Sequence, residues 1–285
     1  MTLLNEYKAS LKNVAIEEYV DLVFFRPLGF LFVKGIYRTN LTPNQVTGLS
    51  AFVGIGSGIS FAFGSKVAVA AGGLLLGIST VLDCADGQLA RLKKNGTPIG
   101  RILDGVADYV YTLSAFIGIA IGCRTDDIGI FEWWLLALGA GISYAVQAGV
   151  LDYYRNEYLA QKEGKDGFLV DELRDASAEY AKYNSLRGHY FRKFLFTVYL
   201  KYSVIQNRAK LPKETAAKNE RPGYVKINLP LLNLWRLNGT STHIFILILC
   251  SFIGRMDLFL WYILLFGSLF ASFLYAAQKF SEKEK

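Results

Sequence analysis

Apolar residues in this chain are gathered into long runs that polar segments separate. Six of these runs approach the length of about 20 residues that an α-helix needs to cross a bilayer. The expected spans are 45–64, 66–92, 97–122, 131–154, 240–255 and 257–278. The chain is also 52% hydrophobic, which is high for a soluble domain. The pattern predicts an all-α integral membrane protein built as a bundle of six transmembrane helices.

The basic residues favour one orientation of this bundle. Both termini, the turn at 93–96 and the loop after the fourth span are placed together on one side. That side then holds every Lys and Arg except Lys66, Arg124 and Arg255. The positive-inside rule makes this side cytoplasmic. The net charge of +7 is therefore expected to meet anionic membrane lipids, and nucleic acid is not an expected partner.

Four regions follow from this topology. Residues 1–40 are expected to form cytoplasmic and interfacial helices, 41–155 the first four spans, 156–239 a long cytoplasmic loop with surface helices, and 240–285 the last two spans and a tail. Within the first region, the segment "VDLVFFRPLGFLFVKGIYRTN" mixes aromatic and basic residues. This mixture is typical of an interfacial amphipathic helix, with a re-entrant segment as the alternative.

Cysteine and histidine content argues against a disulfide framework and a zinc site. The three cysteines, Cys84, Cys123 and Cys250, are odd in number and lie in or near apolar runs. We expect them to be reduced packing residues. The two histidines, His189 and His243, lack partners at ligand spacing.

Four aspartates stand at the edges of the second and third apolar runs. Asp83 and Asp86 are three residues apart on the second run, and Asp104 and Asp108 are four apart on the third. Each pair therefore falls on one helical face. The short connection "LKKNGTP" would make the two helices antiparallel, so the acidic faces can meet.

Four ionised carboxylates in one cleft repel each other, and their burial is costly. Divalent cations relieve the repulsion, because hard cations prefer carboxylate oxygens and also suit a phosphate-bearing substrate. A purely structural alternative has the aspartates cap helices or pair with nearby basic side chains, which are Arg91, Lys93, Lys94 and Arg101.

A second alternative is a cation or proton path, where intramembrane acids also occur. That reading leaves unexplained the small residues on the same faces, Gly87, Ala90 and Gly100. Small residues at these positions allow a flat ligand or another helix to approach closely.

The order and spacing of these acidic and small residues are similar to those of a known protein family. In order they read Asp83-x2-Asp86-Gly87-x2-Ala90-Arg91-x8-Gly100-x3-Asp104-x3-Asp108. This resembles the signature of the CDP-alcohol phosphotransferases, integral membrane enzymes of phospholipid synthesis, at all eight positions. The segment "LTPNQVT" at 41–47 is also similar to the family's entry into its first span. The resemblance covers about residues 40–155.

The resemblance implies a chemistry for each part of the motif. Two divalent cations, Mg²⁺ or Mn²⁺, would lie on Asp83, Asp86, Asp104 and Asp108. A CDP-linked lipid would transfer its phosphatidyl group to an acceptor alcohol with release of CMP, usually in a homodimer. Asp108 would serve as the general base for the acceptor hydroxyl.

The donor site implied by the resemblance is formed by residues from the first three spans. They are Pro43, Asn44, Thr47, Asp83, Gly87, Ala90, Arg91 and Gly100. For Pro43, Asn44 and Thr47, a proline turn and helix cap is an equally good explanation. Arg91 could contact phosphate or hold an aspartate in place, and both readings stay open.

The acceptor is predicted from general likeness to the members of the family that use CDP-diacylglycerol, with inositol phosphate favoured. Arg155 follows the fourth span where similar inositol-phosphate enzymes carry an arginine, and Arg192 and Lys201 are further candidates. Arginine suits bidentate phosphate binding, although lipid headgroup contact would also explain single basic residues. The alternative functions are a CDP-choline or CDP-ethanolamine:diacylglycerol phosphotransferase and a cation-coupled transporter.

Overall fold

The computed structural model is α-helical throughout the part of the chain that it describes, and its helices follow the predicted apolar runs. The residues described are 3–163, 168–184, 188, 190, 193–200 and 224–283. The helices are α1 Leu3–Ser10, α2 Arg26–Ile36, α3 Pro43–Ala62, α4 Lys66–Lys93, α5 Pro98–Gly122, α6 Ile130–Glu163, α7 Phe168–Asn184, α8 193–200, α9 Tyr224–Trp235, α10 Thr240–Ile253, α11 Met256–Trp261 and α12 Ser268–Lys283. π-helical turns precede α2 at Asp21–Phe25 and join α11 to α12 at Tyr262–Gly267.

Within the described residues, six segments are long and apolar enough to cross a membrane, which confirms the all-α fold with six candidate spans. They are Pro43–Ala62, Lys66–Lys93, Pro98–Gly122, Ile130–Lys162, Asn228–Ile253 and Met256–Ser281. The protein is therefore an integral membrane protein.

Two spans are longer than their apolar runs suggested. Helix α6 continues to Glu163, past the expected end of the fourth span at 154. The fifth span begins before α10, because α9 and the short 3₁₀ turn Arg236–Asn238 lead directly into it. Pro230 and Arg236 interrupt the apolar pattern there, so hydropathy alone places the start too late.

Large apolar side chains point outward along the spanning helices. Examples are Phe52 on α3, Leu138 on α6 and Leu269 on α12, which are 75%, 61% and 71% exposed. Such a surface is unusual for a protein in water but is what lipid chains solvate.

Helix α3 lies between α4 and α5, and small polar residues line its contact with α4. Ser50 Oγ donates to Ser79 O at 3.0 Å, and Ser79 Oγ donates to Ser50 O at 2.8 Å. Two helical turns further along α3, Ser57 Oγ donates to Gly72 O at 2.7 Å. These bonds satisfy the buried hydroxyls and hold the two backbones close.

The turn between α4 and α5 is fixed by local signals in the sequence. Lys94 ends α4 in the left-handed region with a φ of 53°, and Asn95 N donates to Ala90 O at 3.2 Å. Thr97 then caps α5 by accepting a hydrogen bond from Gly100 N, with Pro98 in the first turn. The turn therefore brings the acidic ends of the two helices together, as the spacing predicted.

The N-terminal region packs on α4 through α1 and α2. Gln88 Nε2 donates to Ser10 Oγ at 3.2 Å and to Arg26 O at 3.1 Å. Gly29 of α2 lies against the α4 backbone, where an added Cβ would stand 3.2 Å from Ala85 N. The predicted segment at 20–40 is thus helical, and it places residues of the N-terminal region beside the acidic end of α4.

Candidate active site

The carboxylates that α4 and α5 contribute to the motif converge beside α3. One oxygen each of Asp83, Asp86 and Asp104 lie within 4.8 Å of one another. Asp108, one turn further along α5, lies within hydrogen-bonding reach of Asp83. The helical spacing therefore brings all four acids to one place, with Asp108 beside the group of three.

Two neighbouring hydroxyls orient these carboxylates. Thr47 Oγ1 of α3 donates to Asp86 Oδ2. Tyr111 OH donates to Asp108 Oδ1 at 2.9 Å, which leaves the other oxygen of Asp108 for a different partner. Thr47 was expected in the donor site, and in the structure it contacts an aspartate of the motif.

The group of three suits a hard divalent cation. All of its ligand atoms are carboxylate oxygens, the kind that Mg²⁺ and Mn²⁺ prefer. Asp83 Oδ1 is buried and has no hydrogen-bond partner among the described residues, so this oxygen is available to a ligand. Asp83, Asp86 and Asp104 therefore fit the predicted metal site.

A cavity of about 100 Å³ opens beside the aspartates, and its walls come from four parts of the chain. Helix α4 provides more of the lining residues than any other element, and α5 contributes two aspartates and a tyrosine. The lining residues are Lys12, Asp21, Arg26, Thr80, Asp83, Cys84, Asp86, Gly87, Arg91, Asp104, Asp108, Tyr111, Thr240, Ser241 and Ile244.

Sequence reasoning missed the walls that the N-terminal region and α10 provide. Lys12, Asp21 and Arg26 precede the motif by more than 50 positions, and Thr240 and Ser241 follow it by more than 100. The signal that could have revealed them is charge inside an apolar run, since Asp21 and Arg26 interrupt "VDLVFFRPLGF".

The N-terminal wall contains buried charges in close contact. Arg26 donates to Glu17 Oε2 through Nε at 2.8 Å and Nη2 at 2.7 Å. Burial, followed by the nearby Glu18 carboxylate, raises the pKa of Asp21 to about 7.

Of the residues expected to bind the donor, Gly87 and Arg91 line the cavity, together with Asp83. Arg91 Nε donates to Ser10 O of α1, and its Nη2 is buried without a hydrogen-bond partner among the described residues. Arg91 thus anchors the N-terminal region and keeps one donor for an anion, while none of its described hydrogen bonds holds an aspartate.

The remaining donor-site candidates stand at the start of α3 and nearby. Pro43 occupies the first turn of α3, and Asn44 approaches Gly100, where an added Cβ would stand 2.6 Å from Asn44 Oδ1. Pro43, Asn44, Ala90 and Gly100 are not among the residues that line the cavity. Gly100 therefore serves at least to let α3 and α5 approach closely.

Arg155 lies away from the cavity lining and is already paired. Its Nη2 is 3.2 Å from Glu18 Oε1, and its Nη1 is 3.5 Å from Asp152 Oδ1. Glu18 also accepts from Thr242 N at 3.0 Å and so caps the start of α10. The other acceptor candidates, Arg192 and Lys201, lie outside the described residues.

Comparison with known proteins agrees with this geometry. Residues 40–166 match the family model for CDP-alcohol phosphatidyltransferases. The matched segment comprises α3, α4, α5 and the whole of α6, and it carries all four aspartates.

Curated relatives match between 40% and 52% of the chain. A phosphatidylinositol phosphate synthase of Corynebacterium glutamicum is 26% identical over 52% of this chain and 64% of its own length. A bifunctional IPC transferase and DIPP synthase of Aquifex aeolicus is 33% identical over 43% of the chain and 28% of the relative. An archaetidylinositol phosphate synthase of Pyrococcus horikoshii is 27% identical over 40% and 55% respectively. The chain thus spans less than two thirds of the length of these relatives.

Proposed function

We propose that this protein transfers a phosphatidyl group from CDP-diacylglycerol to a small polar alcohol, with release of CMP, and that the favoured acceptor is inositol phosphate. The observation that carries the proposal is the convergence of Asp83, Asp86 and Asp104 oxygens within 4.8 Å, with Asp108 in contact beside them. Both candidate substrates carry phosphate, which suits a site built for divalent cations.

Asp83, Asp86 and Asp104 would hold the metal, with Asp108 as a further ligand. A divalent cation there supplies Lewis-acid stabilisation of the diphosphate and of the departing CMP. Thr47 holds the Asp86 carboxylate in orientation through its hydrogen bond. Gly87 leaves space beside the aspartates, and Arg91 Nη2 offers a charged donor to phosphate.

Asp108 takes the proton of the acceptor hydroxyl. As the acceptor oxygen bonds to the phosphatidyl phosphorus, the bond from phosphorus to the CMP oxygen breaks. Tyr111 OH donates to Asp108 Oδ1 at 2.9 Å and thereby orients the carboxylate that accepts the proton.

The choice of acceptor is supported by the names of two relatives, a phosphatidylinositol phosphate synthase and an archaetidylinositol phosphate synthase. Membrane placement supports a lipid donor, since the aspartates stand at the ends of spanning helices beside an exposed apolar surface. In this proposal the site and both termini face the cytoplasm, where the Lys and Arg residues are concentrated. The protein works as a homodimer, as is usual in the family.

CMP release tests the proposal. Purified protein is incubated with CDP-diacylglycerol, Mg²⁺ or Mn²⁺ and, in turn, inositol phosphate, inositol, glycerol phosphate and serine. We expect release with inositol phosphate to exceed release with the other alcohols. Release only with CDP-choline or CDP-ethanolamine and diacylglycerol would replace the proposal with an amino-alcohol phosphotransferase. Metal-coupled solute flux without any CMP would replace it with a transporter.

A further inference from the structure

Asp21 is a buried carboxylate in the cavity that the proposed chemistry leaves unused. It begins the π-helical turn before α2, is 8% exposed and lies on the same cavity wall as Arg26. The cavity that it lines is also lined by Asp83 and Asp108. Asp21 lies outside the matched domain at 40–166, so the family motif does not account for it.

The hydrogen bonding of Asp21 differs from that of the two acids that precede it. Glu17 is paired with Arg26 at 2.7 Å, and Glu18 accepts from Thr242 N at 3.0 Å and from Arg155 at 3.2 Å. Glu17 therefore binds to α2, and Glu18 connects the N-terminal region with α10 and α6. Glu17 also has one buried oxygen without a partner, Oε1, but Glu17 does not line the cavity. Asp21 does line the cavity, and its Oδ1 is buried with no hydrogen-bond partner among the described residues. A buried carboxylate oxygen without a partner is costly, which points to a ligand that completes it.

The surroundings of Asp21 indicate the chemistry of that ligand. Its neighbour on α4 is Cys84, next to Asp83, whereas Gly87 and Arg91 lie one and two turns further along the helix. The hydroxyl of Ser241, which interacts with Asp21, and that of Thr240 line the cavity with it. Carboxylate and hydroxyl groups together match a compound with several hydroxyl groups, which both donates and accepts hydrogen bonds.

We infer that Asp21 is a positioning residue for the acceptor alcohol, whose hydroxyl groups donate hydrogen bonds to its carboxylate. This inference rests on the proposed phosphatidyl transfer and names the part of the chain that recognises the acceptor. The acceptor then lies between Asp21 on the N-terminal wall and Asp108 on α5, while the donor takes the side of Gly87 and Arg91. The polyhydroxylated class of alcohol is the one that such a wall selects.

The test uses the Asp21→Asn variant of the full chain, which keeps the shape of the side chain and removes its charge. CMP release is measured against inositol phosphate at saturating CDP-diacylglycerol, and then against CDP-diacylglycerol at saturating inositol phosphate. We expect the acceptor KM to rise by about tenfold or more, the loss typical of a hydrogen bond to a charged group. The KM for CDP-diacylglycerol is expected to stay within about twofold.

Thermal denaturation separates this role from a structural one. Burial disfavours the charge of Asp21, and its Oδ1 has no partner among the described residues, so removing the charge should leave the Tm unchanged or raise it. The control variant is Asp257→Asn, because Asp257 is also 8% exposed but pairs with Arg255 at 2.7 Å at the far end of α10. The control should lower the Tm and leave both KM values unchanged.

Two results would overturn the assignment of Asp21. One is an acceptor KM equal to that of the wild type. The other is a parallel loss toward both substrates together with a lower Tm, which would make Asp21 structural. If the wild-type protein itself releases no CMP with any acceptor, the proposed function fails and the assignment fails with it. Normal wild-type turnover with an unaffected variant rejects only the role of Asp21.

Discussion

Replacing Asp108 with Asn is the sharpest test of the proposed chemistry. Asn has nearly the same shape, and its amide oxygen can accept the 2.9 Å hydrogen bond from Tyr111. The substitution also removes one negative charge next to Asp83, so it relieves repulsion within the acidic group. The fold and the donor site should therefore survive, and the lost property is the capacity to take a proton.

The size of the effect follows from that role. A positioned general base contributes about 10²–10⁴-fold to the rate. Its removal should raise the activation free energy by about 3–5 kcal/mol, since each tenfold change in rate corresponds to about 1.4 kcal/mol. Because the base acts in the chemical step, kcat should fall while binding of CDP-diacylglycerol changes little.

The assay follows CMP release under saturating substrates and measures donor binding separately by calorimetry. Tyr111→Phe provides the matched control, since it removes the hydroxyl that orients Asp108 and keeps the base. We expect this control to lose clearly less activity than Asp108→Asn. A kcat for Asp108→Asn within about tenfold of the wild type would refute the role of general base. Loss of donor binding in that variant would show that Asp108 acts mainly as a metal ligand.

Three further predictions concern the metal and the packing of the site. Chelation of divalent cations should abolish CMP release, and added Mg²⁺ or Mn²⁺ should restore it. The Asp86→Asn variant should need a higher metal concentration for half-maximal activity. Activity that survives chelation would contradict the metal site. Arg155→Ala should destabilise the protein by about 3 kcal/mol, because it leaves the buried carboxylate of Glu18 short of a partner. Adding Glu18→Gln to Arg155→Ala should recover part of the lost stability in thermal denaturation. If the stability losses of the two single variants are strictly additive in the double variant, the Arg155–Glu18 ion pair is not stabilising. Gly58→Ala should cost about 1–3 kcal/mol, because its Cβ would overlap α5, whereas Gly48→Ala, with no atom within 4 Å of its added Cβ, should be neutral.

Local patterns in the chain were sufficient to predict the fold class and the acidic site. Apolar runs mark the spans, and the spacing of Asp83, Asp86 and Asp104 places them on facing helical stripes. The turn residues Thr97 and Pro98 fix the hairpin that joins those stripes. All of these signals act over one or two helical turns, and such short-range geometry is encoded directly by sequence.

The expected ends of the spans were less accurate, because they depend on long-range packing. Helix α6 runs past the last strongly apolar residues, with Tyr154 and Tyr158 buried against Trp235 of α9. The fifth span starts early for the same reason, since α9 packs on α6 and α12. Contacts between distant helices stabilise these extensions, and hydropathy along one helix does not register them.

The sequence by itself determined that this is a membrane-embedded helical protein with four acids on two adjoining helices. Only the tertiary structure decided which distant residues complete the cavity around them. Asp21 and Ser241 are more than 200 residues apart along the chain. They line the same cavity because α2 and α10 both pack against α4. The same packing pairs Arg155, the predicted phosphate ligand, with Glu18. Partners that lie far apart along the chain are set by the whole arrangement of helices, which local spacing does not encode.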